Sequence, residues 1–197
     1  MSLTKKEKQY LLKLARRSIE YYLDSGSILK LDDKEIKKET GEDGFKKLKE
    51  MKGCFVTLTV HTALRGCIGH LLPIQQLYKD VIENAVNAAF QDPRFPPMVK
   101  RELEDVHIEI SVLDIPKQLN YKDEKDLIEK LTKTKPGVIL KKGFHQSTFL
   151  PQVWGDLPEP EEFLSHLCMK AGLPPFEWKK SIESIIFEVY GVEKFGE

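Results

Sequence analysis

The chain has 197 residues, 41% hydrophobic and 31% charged, which is enough apolar matter for a core and argues against disorder. Its 31 basic and 31 acidic side chains cancel, so the cationic excess that phosphate neutralisation asks of a nucleic-acid binder is missing. No apolar run approaches the about 20 residues of a membrane-spanning helix, and the length suits one large domain or one domain with a smaller lobe.

Thr4-Lys5-Lys6-Glu7 has the spacing of a capping box, so a helix is expected to start there. Leu11, Leu14, Ala15, Ile19 and Tyr22 share one helical face, and Gly26 is the expected stop. Residues 27–52 are charged and weakly periodic and read as a loop with a short helix near Gly44 to Met51. Up to residue 52 there are 14 Lys/Arg against 10 Asp/Glu, leaving 17 against 21 for the rest. So mild an asymmetry reads as a solvated helix face, not as a nucleic-acid patch.

Cys54 to Val60, rich in Phe, Val and Thr, reads as a strand, with Leu64 to His70 as its partner. Pro73 suits the first turn of a second helix whose apolar stripe is Ile74, Leu77, Val81, Ile82, Ala85 and Ala89. The prolines of Asp92-Pro93-Arg94-Phe95-Pro96-Pro97 end it. Val106, Ile108, Ile110 and Val112 alternate with His107, Glu109 and Ser111, the pattern of a half-buried strand. Further on, a helix is expected over Asp123 to Thr132 and a short strand over Gly137 to Lys141. Phe144 to Trp154 reads as a loop or irregular strand, Glu161 to Ala171 as a helix ended by Gly172, and Ile182 to Tyr190 as a last strand with a bulge. An adjacent hairpin, followed by strands separated by helices, predicts an α+β fold: a largely antiparallel sheet flanked by helices. No glycine-rich loop joins a strand to a helix, so a nucleotide-binding fold has no support.

The hairpin carries most of the chemistry. With His61-Thr62-Ala63 as the connection, Val60 faces Leu64, Leu58 faces Gly66, Val56 faces Ile68 and Cys54 faces His70, forming one apolar surface for the core. The other face pairs Thr59 with Arg65, Thr57 with Cys67 and Phe55 with Gly69. Cys67 then stands on the polar face beside the Arg65 cation, which would favour its thiolate. Gly66 and Gly69 flank it, and glycine within a strand marks a bulge or a close approach. A nucleophilic or redox Cys67 with Arg65 beside it is one reading; a small half-buried hydrophobe is the other.

The three cysteines, Cys54, Cys67 and Cys168, are odd in number and widely spaced, unlike a disulfide framework. The lysine-rich N-terminus lacks the apolar stretch of a signal peptide, so a soluble protein of a reducing cytosol is expected. Cys54, His61, Cys67 and His70 do not make a metal site, because the register puts them on opposite faces and in the turn. No cofactor is indicated.

Leu64-Arg65-Gly66-Cys67-Ile68-Gly69 resembles the signature of the AMMECR-one domain family. The similarity continues through Phe55-Val56-Thr57-Leu58, Asp92-Pro93-Arg94-Phe95, Ile110-Ser111-Val112-Leu113, Thr148-Phe149-Leu150-Pro151-Gln152-Val153-Trp154, Leu167-Cys168 and Lys170-Ala171-Gly172-Leu173-Pro174; residues 27–52 fall outside it. The resemblance implies a single domain over residues 1–197 with a two-lobed α+β fold. Its larger lobe holds both termini and an antiparallel sheet, and its smaller lobe has its own strands and helices. It implies no defined reaction. In prokaryotes such domains accompany radical-SAM and Memo-like proteins, which implies a shared pathway.

Other candidate residues lie on loops. Arg94, in a proline-braced segment, could hold a carboxylate or phosphate in a bidentate fork, or pair with Asp92 or Glu102. Asp92 could orient Arg94 or cap a helix. Gln146 and Thr148, with Ser147, offer neutral hydrogen-bonding groups that could line a pocket, and His145 could be a base for Cys67. Cys168, Trp154 and Trp178 are expected to pack. The expectation is a site with Cys67 and Arg65 as its chemical groups, and Gly66, Gly69, Asp92, Arg94, Gln146 and Thr148 as binding groups. It would take a small anionic ligand and hold no metal; the alternative is a binding module whose hairpin face and Pro93-Arg94-Phe95 loop recognise a small molecule or protein partner without chemistry.

Overall fold

The computed structural model describes residues 2–197. In chain order the elements are α1 (Lys5–Ser25), α2 (Asp33–Leu48), β1 (Cys54–Val60), β2 (Ala63–Gly69), α3 (Leu77–Phe90), β3 (Val106–Leu113), β4 (Lys117–Gln118), α4 (Glu124–Thr134), β5 (Gly137–Lys142), β6 (His145–Phe149), α5 (Pro160–Lys170), α6 (Glu177–Lys180), β7 (Ile186–Tyr190) and β8 (Val192–Gly196). Two compact units divide them: the chain up to Leu113 with Glu193–Glu197, and Asp114–Val192. Helices and antiparallel strands make this an α+β fold.

In the first unit, α1 begins at the capping box. Thr4 Oγ1 accepts from the Glu7 amide at 3.3 Å, and Glu7 Oε2 accepts from the Thr4 amide at 2.6 Å. It ends at Gly26, which is left-handed at φ 67°. The sheet runs β2-β1-β3-β8, with β1 antiparallel to both β2 and β3. Cys54, Val56 and Leu58 of β1 and Ile108 and Ile110 of β3 point to one side. There they join Leu11, Ala15 and Ile19 of α1 and Leu77, Val81 and Ala85 of α3 in one buried cluster.

The second unit has its own sheet, β4-β7-β5-β6, antiparallel throughout. Leu127, Leu131, Val138, Leu140, Leu167, Cys168 and Phe187 form its core, so Cys168 does pack. Trp154 stacks on Phe163 with centroids 3.8 Å apart and donates Nε1–H to the Pro136 carbonyl at 2.8 Å.

Several expectations need correction. In place of the expected loop with a short helix near Gly44 to Met51, helix runs from Asp33 to Leu48 as α2; its buried residues are Ile36, Gly44, Phe45 and Leu48, and Gly41 at φ 79° kinks it, so no single apolar period runs through it. Ile74 is 59% exposed and lies ahead of α3, which starts at Leu77. Phe144 to Trp154 divides into the regular strand β6 and a 3₁₀ turn, Pro151–Gly155. The last predicted strand begins only at Ile186, because Ile182–Ser184 form another 3₁₀ turn. β8 is an additional strand at the edge of the first sheet.

Candidate functional site

The hairpin register is as expected over most of its length and departs at its tip. Phe55 opposes Gly69, Val56 opposes Ile68, Thr57 opposes Cys67 and Leu58 opposes Gly66. Beyond Leu58 the pairing shifts, so that Thr59 opposes Leu64 and Val60 opposes Ala63. The turn is therefore the two residues His61 and Thr62, at φ 48° and 70°, and Arg65 is the extra residue of a bulge. Arg65 does not oppose Thr59.

That bulge re-aims the arginine. Arg65 Nε and Nη2 grip the Glu102 carboxylate at 2.6 and 3.1 Å, and Nη2 also reaches the Pro96 carbonyl at 3.0 Å. Arg65 Nη1 is buried without a hydrogen-bond partner. The pairing with Arg65 draws Glu102 below the usual carboxylate range. The charge of Arg65 is thus matched by Glu102, not offered to the thiol.

A different cation stands at Cys67. The side chain of Asp92 is 2% exposed and accepts from the Cys67 amide at 2.8 Å, from the Arg94 amide at 3.1 Å, and from Arg94 Nε and Nη2 at 2.9 and 2.7 Å. These donors, the Arg94 guanidinium foremost, hold the Asp92 carboxyl well below its ordinary range, and the Asp92 carboxylate in turn pushes Arg94 up. Arg94 Nη2 also donates to the Cys67 carbonyl at 3.3 Å. Its side chain is 53% exposed, so one edge of the fork faces solvent. Both guanidinium groups lie over Phe95, 6.0 Å (Arg65) and 5.5 Å (Arg94) from the ring centroid. Arg65, Cys67, Asp92 and Arg94 therefore converge around the Pro93–Pro97 segment, and the expected pairing of Arg94 resolves to Asp92 while Glu102 goes to Arg65.

Cys67 is half-buried, and Thr57 Oγ1 is 3.3 Å from its sulfur. The other cysteines are fully buried. Burial, with the nearby Asp80 charge adding to it, pushes the Cys54 thiol far up, and burial raises Cys168. Across the same face of the sheet, Thr57 is flanked by Glu109 of β3, which pairs with Lys194 of β8 at 2.8 Å.

The glycines have a packing reason. A Cβ on Gly66 would lie 2.0 Å from the Ala88 carbonyl oxygen of α3, and one on Gly69 would lie 2.3 Å from that of Cys54. What comes close at these positions is the protein's own backbone. Gln146 and Thr148 lie on β6 in the second unit, where Thr148 Oγ1 donates to the Val138 carbonyl and meets the Tyr190 hydroxyl, each at 3.0 Å. His145 is there too, with Nδ1 bonded to the Ala171 carbonyl at 2.8 Å. Among the described residues, Thr57 is the one side chain hydrogen-bonded to the Cys67 sulfur.

A second polar cluster escaped the sequence reading. Asp80 of α3, fully buried, accepts from the Cys54 amide at 2.9 Å and from Gln75 at 3.2 Å and lies 2.7 Å from His70 Nδ1; Asn84 is 3.2 Å from the same nitrogen. It stands on the core side of the sheet, away from Cys67. The only signal for it is an aspartate and an asparagine within an otherwise apolar helical stripe.

Comparison with known proteins agrees with this architecture. The AMMECR1 family model matches residues 12–195. The chain is 39% identical to protein MK0488 of Methanopyrus kandleri over 98% of this chain and 90% of that one. It is 43% identical to protein PYRAB00100 of Pyrococcus abyssi over 86% of this chain and 81% of that one. The crystal structure of PH0010 from Pyrococcus horikoshii superposes with a TM-score of 0.79 at 34% identity, covering 99% and 93% of the two chains. With a family model spanning nearly its whole length and relatives similar along most of theirs, the chain belongs to the AMMECR1 family.

Proposed function

We propose that this protein binds and acts on a small anionic molecule at the Cys67 thiol, with Arg94 as the anion-contacting cation. The observation that carries the reading is the brace: buried Asp92 holds both the Cys67 amide and the Arg94 fork, leaving the outer edge of the guanidinium open beside the one cysteine that is not fully buried. Such a fork suits a carboxylate or phosphate, and its fixed geometry lowers the entropy cost of binding. Thr57 is placed to hydrogen-bond the thiol or the thiolate. Arg65 acts through position: its pairing with Glu102 and Pro96 pins the proline-rich segment that carries Arg94.

A binding role without chemistry is favoured by one feature: Thr57, a neutral group, is the sulfur's only hydrogen-bonded side chain among the described residues. Alkylation kinetics separate the two. With Cys54 and Cys168 buried, the folded protein should react at Cys67 alone. Iodoacetate, an anion, should outpace neutral iodoacetamide relative to the same ratio for N-acetylcysteine amide. A nearby unit charge is worth about 1 kcal/mol in water, or roughly fivefold. Arg94→Gln should erase the preference. An iodoacetate preference no greater than that of the free thiol would sink the proposal. Full cellular function in Cys67→Ser would assign the site to binding alone.

A further inference from the structure

On the other side of α3 from the sheet lies a cavity of about 630 Å³, within the range that holds small organic ligands. One wall is the link between α1 and α2, Ile28 to Leu31; the other is the outer stripe of α3, including Tyr78, Ile82 and Asn87. Leu29, Tyr78 and Ile82 give it an apolar floor, since each is less than a tenth exposed. The polar groups are not spread evenly. Gln75 Nε2 bonds to Glu83 at 2.6 Å and to buried Asp80 at 3.2 Å, so the Glu83 end of the rim is fixed and already hydrogen-bonded. Lys30 and Lys79 also line the cavity, and among the described residues neither is ion-paired with a carboxylate. The Lys79 ammonium lies 5.8 Å from the Tyr78 ring centroid, which keeps it near the cavity wall. The lining thus combines greasy surface with two cations against one carboxylate. It stands apart from Cys67, which projects from the opposite face of the sheet.

We propose that this cavity binds a small amphiphile, an apolar body bearing a single carboxylate, sulfonate or phosphate, with the anionic end at Lys30 and Lys79 and the body against Leu29, Tyr78 and Ile82. The apolar floor supplies affinity in proportion to the surface it covers, and the lysines select the sign of the charge. Glu83 opposes the same anion and tunes the affinity downward.

The test uses the full chain and 8-anilinonaphthalene-1-sulfonate, an aromatic body with one sulfonate, followed by fluorescence. Saturable enhancement is expected, with octanoate displacing the dye at concentrations severalfold below those needed for octan-1-ol. The double charge reversal Lys30→Glu/Lys79→Glu should weaken dye binding about tenfold, or about 1.4 kcal/mol. Both positions are exposed, and an acidic residue in the first turn of α3 suits its dipole, so the fold should tolerate the change. Glu83→Gln should tighten binding at one saturable site while leaving the urea denaturation midpoint unchanged, which separates the gain from the extra dye uptake of a loosened fold. Dye affinity indifferent to the charge reversal and to Glu83→Gln, or octan-1-ol competing as well as octanoate, would overturn the proposal.

Discussion

Asp92 accepts four hydrogen bonds, from the Cys67 amide and from three groups of Arg94, on a carboxylate almost sealed from water. Asp92→Asn keeps the size but removes the charge and turns an NH₂ toward donors. Because Arg94 is half-exposed and can be rehydrated, the loss should sit near the lower end for a broken charged network, about 2 kcal/mol. The pH dependence has a definite sign. The folded carboxyl titrates well below its ordinary value, so its contribution is complete above the unfolded value of about 3.9 and is lost as the pH falls toward the folded one. Urea denaturation should therefore show a wild-type advantage over Asp92→Asn at pH 7 that narrows below about pH 4; a constant gap would mean that the charge is not what matters. At this scale the sequence was partly legible. It offered Asp92 and Glu102 as partners for Arg94, and the choice depended on the bulge at Arg65, which no residue pattern announced.

At the scale of elements, legibility followed periodicity. β1 and the first half of β3 have one buried and one less buried face, and alternation gave both strands; towards its end β3 is buried on both faces. α2 is interrupted by Gly41, and β8 is a short edge strand with a mixed sequence, so neither leaves a period to read. The hairpin tip was misread by one residue because His61-Thr62 does not look like a two-residue turn. Both residues have positive φ, which costs a β-branched threonine most. Replacing the pair with Asn-Gly should raise stability by about 1 kcal/mol, seen as a higher denaturation midpoint with the same urea slope. Gly66→Ala should do the reverse. Its Cβ would lie 2.0 Å from a helix carbonyl, whereas Gly155 has nothing within 4 Å. We expect Gly66→Ala to lose at least about 3 kcal/mol or fail to fold, and Gly155→Ala to stay within about 0.5 kcal/mol of wild type. Equal effects at the two glycines would refute the close approach of α3 to β2.

For the whole molecule, the decisive feature is the way the chain returns. Glu197 donates its amide to the Ile108 carbonyl at 3.2 Å, and Asp114 donates to Gly191 at 2.9 Å, so β3 and β8 run as neighbouring antiparallel strands. Asp114–Val192 is an insertion at what would otherwise be a hairpin end. The returning strand is tied in at both ends. Glu193 bonds Ser2 and the Leu3 amide and pairs with Lys8; although burial pulls its carboxyl up, these partners bring it down to about 2. Arg16 clasps Glu197 while also reaching the Leu103 and Val106 carbonyls. Each unit has a separate buried core, and both tryptophans belong to the second. We therefore expect Asp114–Val192 expressed alone to unfold cooperatively, with buried-type tryptophan emission before the transition; solvent-like emission and no transition would show that its core depends on the rest. Conversely, joining Leu113 to Glu193 through a short glycine-containing turn should leave a folded first unit. If Arg65, Cys67, Asp92 and Arg94 suffice for the anion preference at the thiol, that unit retains the full iodoacetate-to-iodoacetamide ratio. A ratio that fell to the free-thiol value in a unit still shown to be folded would mean that these four residues do not suffice.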